Sequence, residues 1–387
     1  MWIERSISDK LRSLSQKRPA LLVTGSRQTG KTSLLRHCFP DSSYVSLDLP
    51  LNADLAENDG QQFLEKYPEP LIIDEVQYAP RLFRYLKLAI DQKRDESCRF
   101  LLTGSQKFSL MQNISESLAG RISILECLPL SLFELEQHYQ TKAEGDQLLE
   151  WILNGGYPEI YRASLNPSIF YSDYVATYLE RDVRQLINVK NLRDFERFMR
   201  LLALHSGQLL SFTSLAADIG VSPNTVKSWI SVLETSQIVH LVEPYFRNIS
   251  KSIKKNPKVY FLDTGLCCFL LGLSDKDEIL NYQSLGALFE TLVFGQIYRK
   301  IALDGHLEKL YFYRDAQGRE IDFIIEKAGK FRLVEVKWNQ NPKRKSLGFE
   351  AFTNAVGEES ITERRWVTKD RILVPYPEGG VGNPVDW

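Results

Sequence analysis

Gly25-Ser26-Arg27-Gln28-Thr29-Gly30-Lys31-Thr32 is the stretch on which the reading of this chain turns. Ahead of it, Ala20-Leu21-Leu22-Val23 is a short apolar run fit for a buried parallel strand. Behind it, Ser33-Leu34-Leu35-Arg36-His37-Cys38-Phe39 reads as helix. The pattern G-x-x-x-x-G-K-[ST] thus stands between a strand and a helix, the context that gives it meaning. Glycines let the backbone curl so that successive N–H groups face inward on phosphates. The helix N-terminus adds its positive end. Lys31 is expected to reach the β- and γ-phosphates, and the Thr32 hydroxyl to ligate Mg²⁺. The expected nucleotide-binding set is Gly25, Ser26, Arg27, Gln28, Thr29, Gly30, Lys31, Thr32 and Ser33, with Asp74.

Asp74 and Glu75 close a second apolar run, Leu71-Ile72-Ile73. Ligands in open α/β sheets bind outside the carboxyl ends of the strands, so both runs point at one crevice. Asp74 is the expected Mg²⁺ holder, and Glu75 is placed to polarise an attacking water. A third run, Phe100-Leu101-Leu102-Thr103, ends in Gly104-Ser105-Gln106. Ser105 or Gln106 is the candidate sensor of the γ-phosphate, with Thr103 expected to pack inside the strand. Arg121, after Leu118-Ala119-Gly120, is a candidate arginine finger, acting in cis or from a neighbouring subunit. A pair with a surface carboxylate is the alternative for it.

With Leu128-Pro129-Leu130-Ser131-Leu132-Phe133-Glu134-Leu135 added, these segments resemble the AAA-type ATPases of bacteria and archaea that carry a C-terminal domain of unknown function. Gly155-Gly156-Tyr157-Pro158-Glu159, Phe261-Leu262-Asp263-Thr264-Gly265-Leu266 and Gly286-Ala287-Leu288-Phe289-Glu290 are similar to later landmarks of that family. Ser26 departs from it where proline is common, and Gln106 where serine is more usual.

From Glu144 to about Arg200 the apolar spacing is helical; Tyr171, Tyr174, Val175, Tyr178 and Leu179 share one face. Arg181, Asp182 and Arg184 read as a salt-bridged helix end. In residues 211–235, Leu215, Ala216 and Ile219 mark one helix, which Gly220 stops. Ser222 as cap and Pro223 in the first turn start a second, with Val226, Trp229, Ile230 and Leu233 on its buried face. This spacing is a helix-turn-helix, and the alternation from Ile238 to Val242 adds a wing strand. The resemblance implies a winged helix too. Asn224, Thr225, Lys227, Ser228 and Ser231 would face outward, able to bond phosphates or bases. One lysine is thin for phosphate neutralisation. The acid-free run from Tyr245 adds Arg247, Lys251, Lys254, Lys255 and Lys258. Asn224, Thr225, Lys227, Lys251, Lys254 and Lys255 are the expected nucleic-acid contacts; a solvated linker and a plain packing module are the alternatives.

The last third carries a second constellation. Ile321–Ile325 and Phe331–Lys337 read as strands joined at Ala328-Gly329. That closure sets Asp322 opposite Glu335 and Glu320 opposite Lys337, all on one face. Glu290 lies on a preceding amphipathic helix. An acid followed by E-x-K on the next strand resembles the PD-(D/E)XK nuclease fold. The resemblance implies metal at Asp322 and Glu335, with Glu290 as a helix-borne ligand and Lys337 steadying the water. Many such domains bind without cutting. A surface hairpin whose charges merely pair is the other reading.

The charge balance, 48 Lys plus Arg against 49 Asp plus Glu, excludes a global positive field as the source of nucleic-acid affinity. Five cysteines without a C-x-x-C exclude a zinc knuckle and a disulfide framework. No apolar stretch reaches ~18 residues, and the N-terminus has no apolar core, so a cytoplasmic protein without membrane contact is expected. The expected class is α/β: a P-loop NTPase parallel sheet (1–142), a helical and winged-helix segment (143–258) and a restriction-endonuclease-like domain (259–387). ATP and Mg²⁺ are the expected cofactors, DNA the expected partner, and a homo-oligomer is open. The rival is an ATP-controlled switch that binds protein partners through a non-cleaving nuclease-like domain.

Overall fold

The computed structural model describes residues 2–105, 117–178, 192–246, 256–338, 346–369 and 380–385. They form two compact units, Met1–Leu128 and Pro129–Trp387.

In the first unit, β1 (Ala20–Thr24), β2 (Ser43–Ser46), β3 (Leu71–Asp74), β4 (Phe100–Gly104) and β5 (Ile122–Glu126) form one sheet in the order β2-β3-β4-β1-β5. Every pairing is parallel. Strands covered on both faces need apolar side chains throughout, and β1, β3 and β4 are buried at every position. The helix Leu82–Gln92 turns Leu82, Phe83, Leu86 and Ile90 onto the core. β4 lies between β1 and β3, so its C-terminal tip stands between the loop after β1 and the acids after β3.

In the second unit, the helix-turn-helix forms where the caps direct it. Ser211 accepts from Ser214 N and Ser222 from Thr225 N, and Gly220 between them is left-handed at φ 86°. The helix Pro223–Thr235 buries Val226, Trp229, Ile230 and Leu233, as their spacing predicts. β6 (Gln208–Leu209), β7 (Val239–Pro244), β8 (Lys258–Phe261), β9 (Lys309–Arg314), β10 (Glu320–Lys327), β11 (Lys330–Lys337), β12 (Ile361–Thr368) and β13 (Gly380–Gly382) form one sheet, in the order β13-β12-β11-β10-β9-β7-β8-β6. The β10–β11 hairpin turns at Ala328 and Gly329, both at positive φ, and pairs from Lys327 opposite Lys330 to Phe323 opposite Val334. The helix Leu285–Leu303 packs on β8 and β11.

The two compact units divide at Leu128–Pro129. Leu132 N donates to Gln296 and Arg299 donates to the Pro129 carbonyl, so the segment after Leu128 belongs to the second unit. β7 pairs antiparallel with β8 and parallel with β9, so the strand after the helix-turn-helix and the β9–β11 strands share a sheet. A further helix spans Leu347–Val356. β12 was not expected, because Glu363, Arg364 and Arg365 interrupt its apolar pattern. Among the described residues no helix is long and apolar enough to cross a membrane.

Candidate functional site

The phosphate loop is held open by its own backbone. A Cβ on Gly25 would meet the Cys127 carbonyl oxygen at 2.3 Å, so only glycine fits. Gly30, at φ 88°, turns the chain into the helix Lys31–Cys38. The Thr29 hydroxyl braces the loop by donating to Ser26 O at 2.9 Å. Lys31 Nζ donates to Gly25 O at 3.1 Å and Ser26 O at 2.9 Å, and burial pushes this ammonium down from its ordinary value. Arg5, buried, donates to Thr29 O at 2.9 Å and to Leu128 O at 2.5 Å. Ser26 Oγ is buried without a hydrogen-bond partner among the described residues.

The acids after β3 are gripped by neutral donors. Asp74 Oδ1 accepts from Thr32 Oγ1 at 2.6 Å and from Thr103 Oγ1 at 2.5 Å; Oδ2 accepts from Tyr44 at 3.1 Å. The Thr103 hydroxyl also accepts from Glu75 N at 3.0 Å. Burial and the Asp74 charge push the Tyr44 phenol up. Glu75 sits at φ 56°, a left-handed conformation costly for this residue type, which aims its carboxylate away from the strand line. Gln77 Nε2 and Ser105 Oγ (3.2 Å) both donate to Glu75 Oε2. A hydroxyl and a carboxylate converging, with the Lys31 ammonium attracted to both acids from the loop side, suit a hard divalent ion with a phosphate. The donor set at Thr32 and Asp74, with the partnerless Ser26 hydroxyl in the loop, therefore fits a magnesium nucleotide.

Arg121 lies elsewhere. Its neighbour Ile122 pairs with Ala20, at the start of β1, so Arg121 stands at the sheet edge opposite the loop. Its guanidinium forks onto Asp91 at 2.7 and 3.0 Å.

The second constellation assembles in the second unit. Lys258 Nζ lies 2.6 Å from Glu320, 3.0 Å from Glu290 and 3.9 Å from Asp322. Tyr260, two residues along β8, also donates to Glu290 Oε1. Asp322 Oδ2 accepts from Val336 N at 2.8 Å. Glu335 accepts from Ser346 at 2.8 Å and pairs with Lys337 at 3.1 Å. Burial opposes the charge of Lys258, yet Glu290, Asp322 and Glu320 together hold its ammonium above the ordinary value. Burial and the charge of Asp322 push the Glu290 carboxyl up. Lys258, read from sequence as part of a solvent-facing basic run, is instead 4% exposed and bound to carboxylates.

On the helix Pro223–Thr235, Asn224 and Lys227 are exposed. Thr225 is half-buried, and its hydroxyl bonds the Ser222 cap at 2.8 Å. Gln106, Arg181, Asp182, Arg184, Arg247, Lys251, Lys254 and Lys255 lie outside the described residues.

A family model described as "AAA domain" matches residues 17–136. Two domains of unknown function, DUF8612 and DUF4143, match residues 145–277 and 285–377. The uncharacterized protein Rv2008c of Mycobacterium tuberculosis is 32% identical over 346 residues, covering 88% of this chain and 76% of that protein. The chain belongs to this family. Its first unit is an AAA-type P-loop ATPase domain. The uncharacterized protein MJ1637 of Methanocaldococcus jannaschii is 24% identical over 366 residues, with 81% and 72% covered. Among solved structures, a Walker-type ATPase of Pyrococcus abyssi aligns at 16% identity and TM-score 0.46, with 70% of this chain and 96% of that chain covered.

Sequence reasoning missed several residues of this AAA site. Thr103 was expected to pack in its strand, yet its hydroxyl joins Asp74 to the Glu75 backbone; a lone polar residue at the tip of an apolar strand was the signal. Gln77, two residues past the acids, carried a weaker one. Tyr44 and Arg5 carried none, because they reach the site from β2 and the N-terminal segment.

Proposed function

We propose that this AAA-type ATPase binds ATP with Mg²⁺ on residues Gly25–Ser33 and Asp74, hydrolyses it with Glu75 as base, and couples turnover to nucleic acid. The observation that carries the first part is the Thr32–Asp74–Thr103 hydrogen-bonded set, which brings the metal-type donors of the phosphate-loop helix and β3 together. Thr32 and Asp74 would hold the Mg²⁺, which when bound neutralises phosphate charge. Lys31 exchanges the Gly25 and Ser26 carbonyls for phosphate oxygens. The loop N–H groups and the helix N-terminus take the remaining phosphate charge. Glu75, aimed by Gln77 and Ser105, accepts the proton of the attacking water. Arg121, at the far edge of its own sheet, acts as a finger only on a neighbouring copy and only after leaving Asp91.

The nucleic-acid part rests on the exposed polar side of the helix Pro223–Thr235, with Asn224 and Lys227, and on the basic run that includes Lys251, Lys254 and Lys255. Thr225 contributes less, because its hydroxyl is tied to the cap. ATP turnover with and without duplex DNA, at two salt concentrations, tests it. Stimulation that fades with salt supports the reading; turnover indifferent to DNA defeats it. A second reading, an ATP-controlled switch that binds protein partners through a non-cleaving second unit, is favoured by the lysine among the nuclease-like carboxylates.

A further inference from the structure

A metal site of the nuclease type needs carboxylate oxygens that converge on one point and have lone pairs to spare. In the second unit the point of convergence is taken. Lys258 reaches Glu320 at 2.6 Å, Glu290 at 3.0 Å and Asp322 at 3.9 Å, from a side chain almost wholly buried. Its backbone is fixed by pairing with Val242 on one side and Leu209 on the other, and its ammonium lies 5.5 Å from the centre of the Phe312 ring. Glu290 Oε1 accepts from both Lys258 and Tyr260, and Tyr260 is held by stacking on Phe294 at 4.5 Å. Asp322 spends one oxygen on Val336 N, and both Glu335 oxygens are engaged, by Ser346 and Lys337. Among the described residues no three His, Cys, Asp or Glu side chains are placed to hold a metal ion. Among the described residues four carboxylates here face three cations, because Arg314 also approaches Glu320 at 3.8 Å. A divalent ion added to that set would turn a residual negative charge into a positive one in a largely buried place, a costly reversal.

We propose that Lys258 is the resident cation of this cluster, and that the second unit takes up no divalent metal on Glu290, Glu320, Asp322 and Glu335. The E-x-K hairpin is then an ion-paired structural joint between β8, β10 and the helix Leu285–Leu303. This inference does not rest on the ATPase reading.

The test counts Mn²⁺ bound to the full chain in the presence of ADP, by electron paramagnetic resonance of free Mn²⁺. The wild type and Asp322→Asn are expected to bind the same number, one per chain at the phosphate loop. A second Mn²⁺ on the wild type that Asp322→Asn loses overturns the proposal. Lys258→Met, checked for folding by circular dichroism, is expected to gain an Mn²⁺ that Lys258→Met/Asp322→Asn loses again. A folded Lys258→Met that gains none overturns the role given to Lys258. Should Lys258→Met fail to fold, the comparison of wild type with Asp322→Asn decides alone. Absence of Mn²⁺ from both would count against the phosphate loop as the metal-nucleotide site and leave this proposal supported.

Discussion

The chain gathers acids at strand ends twice, and the two gatherings differ in what holds them. Asp74 and Glu75 are gripped by Thr32, Thr103, Tyr44, Gln77 and Ser105, which are neutral donors. Hydrogen bonds from hydroxyls and amides fix a carboxylate's position without cancelling its charge, so the site still attracts a cation. Glu290, Glu320 and Asp322 are gripped by the Lys258 ammonium, which cancels charge as it fixes position. In this chain the acids whose hydrogen-bond partners are neutral are the ones left with charge to offer a metal.

Lys31→Ala breaks the first side of this contrast most completely. ATP turnover should vanish in a phosphate-release assay, and normal turnover would remove the phosphate loop from the argument. Glu75→Gln should keep ATP binding in a filter assay while turnover falls about 10²–10⁴-fold, the usual contribution of a general base. On the other side, Lys258→Met leaves buried acids without their cation and should cost about 3–5 kcal/mol in denaturant unfolding. Plasmid DNA incubated with the protein and Mg²⁺ or Mn²⁺, with or without ATP, should stay intact; cutting that Asp322→Asn abolishes would erase the contrast. Thr103→Val, which strips a donor from Asp74, should cost about 1–3 kcal/mol and slow turnover at fixed Mg²⁺. The smallest effect is expected from Arg121→Ala, whose melting temperature should match the wild type. Its turnover falls only if the arginine serves a neighbouring copy, and mixing it with Lys31→Ala protein would then restore activity.

Much of the fold was legible because its signals are local. Gly25 to Thr32 names the loop, Leu71 to Glu75 names β3 and its acids, and Ser211, Gly220 and Ser222 punctuate the helix-turn-helix. The hairpin register followed from one turn at Ala328-Gly329, which carries Phe323 opposite Val334, the pair next to Asp322 and Glu335. What stayed hidden depended on distance along the chain. Lys258 looked like one more lysine in a basic run, and nothing in residues 245–258 signals that β8 will bring it to Glu320, 62 positions later. The unit boundary at Leu128 was hidden for the same reason, because Pro129 and Leu132 find their partners at Arg299 and Gln296.

The parallel pairing of β7 with β9, at Glu243–Tyr311 and Pro244–Phe312, has a consequence for how such a chain is inherited. A helix-turn-helix that lends a strand to its neighbour's sheet is not a detachable cassette. A recombination event falling between them would leave each half with a raw sheet edge, open to pairing with other chains. Selection should therefore have kept these two segments together as a single heritable piece.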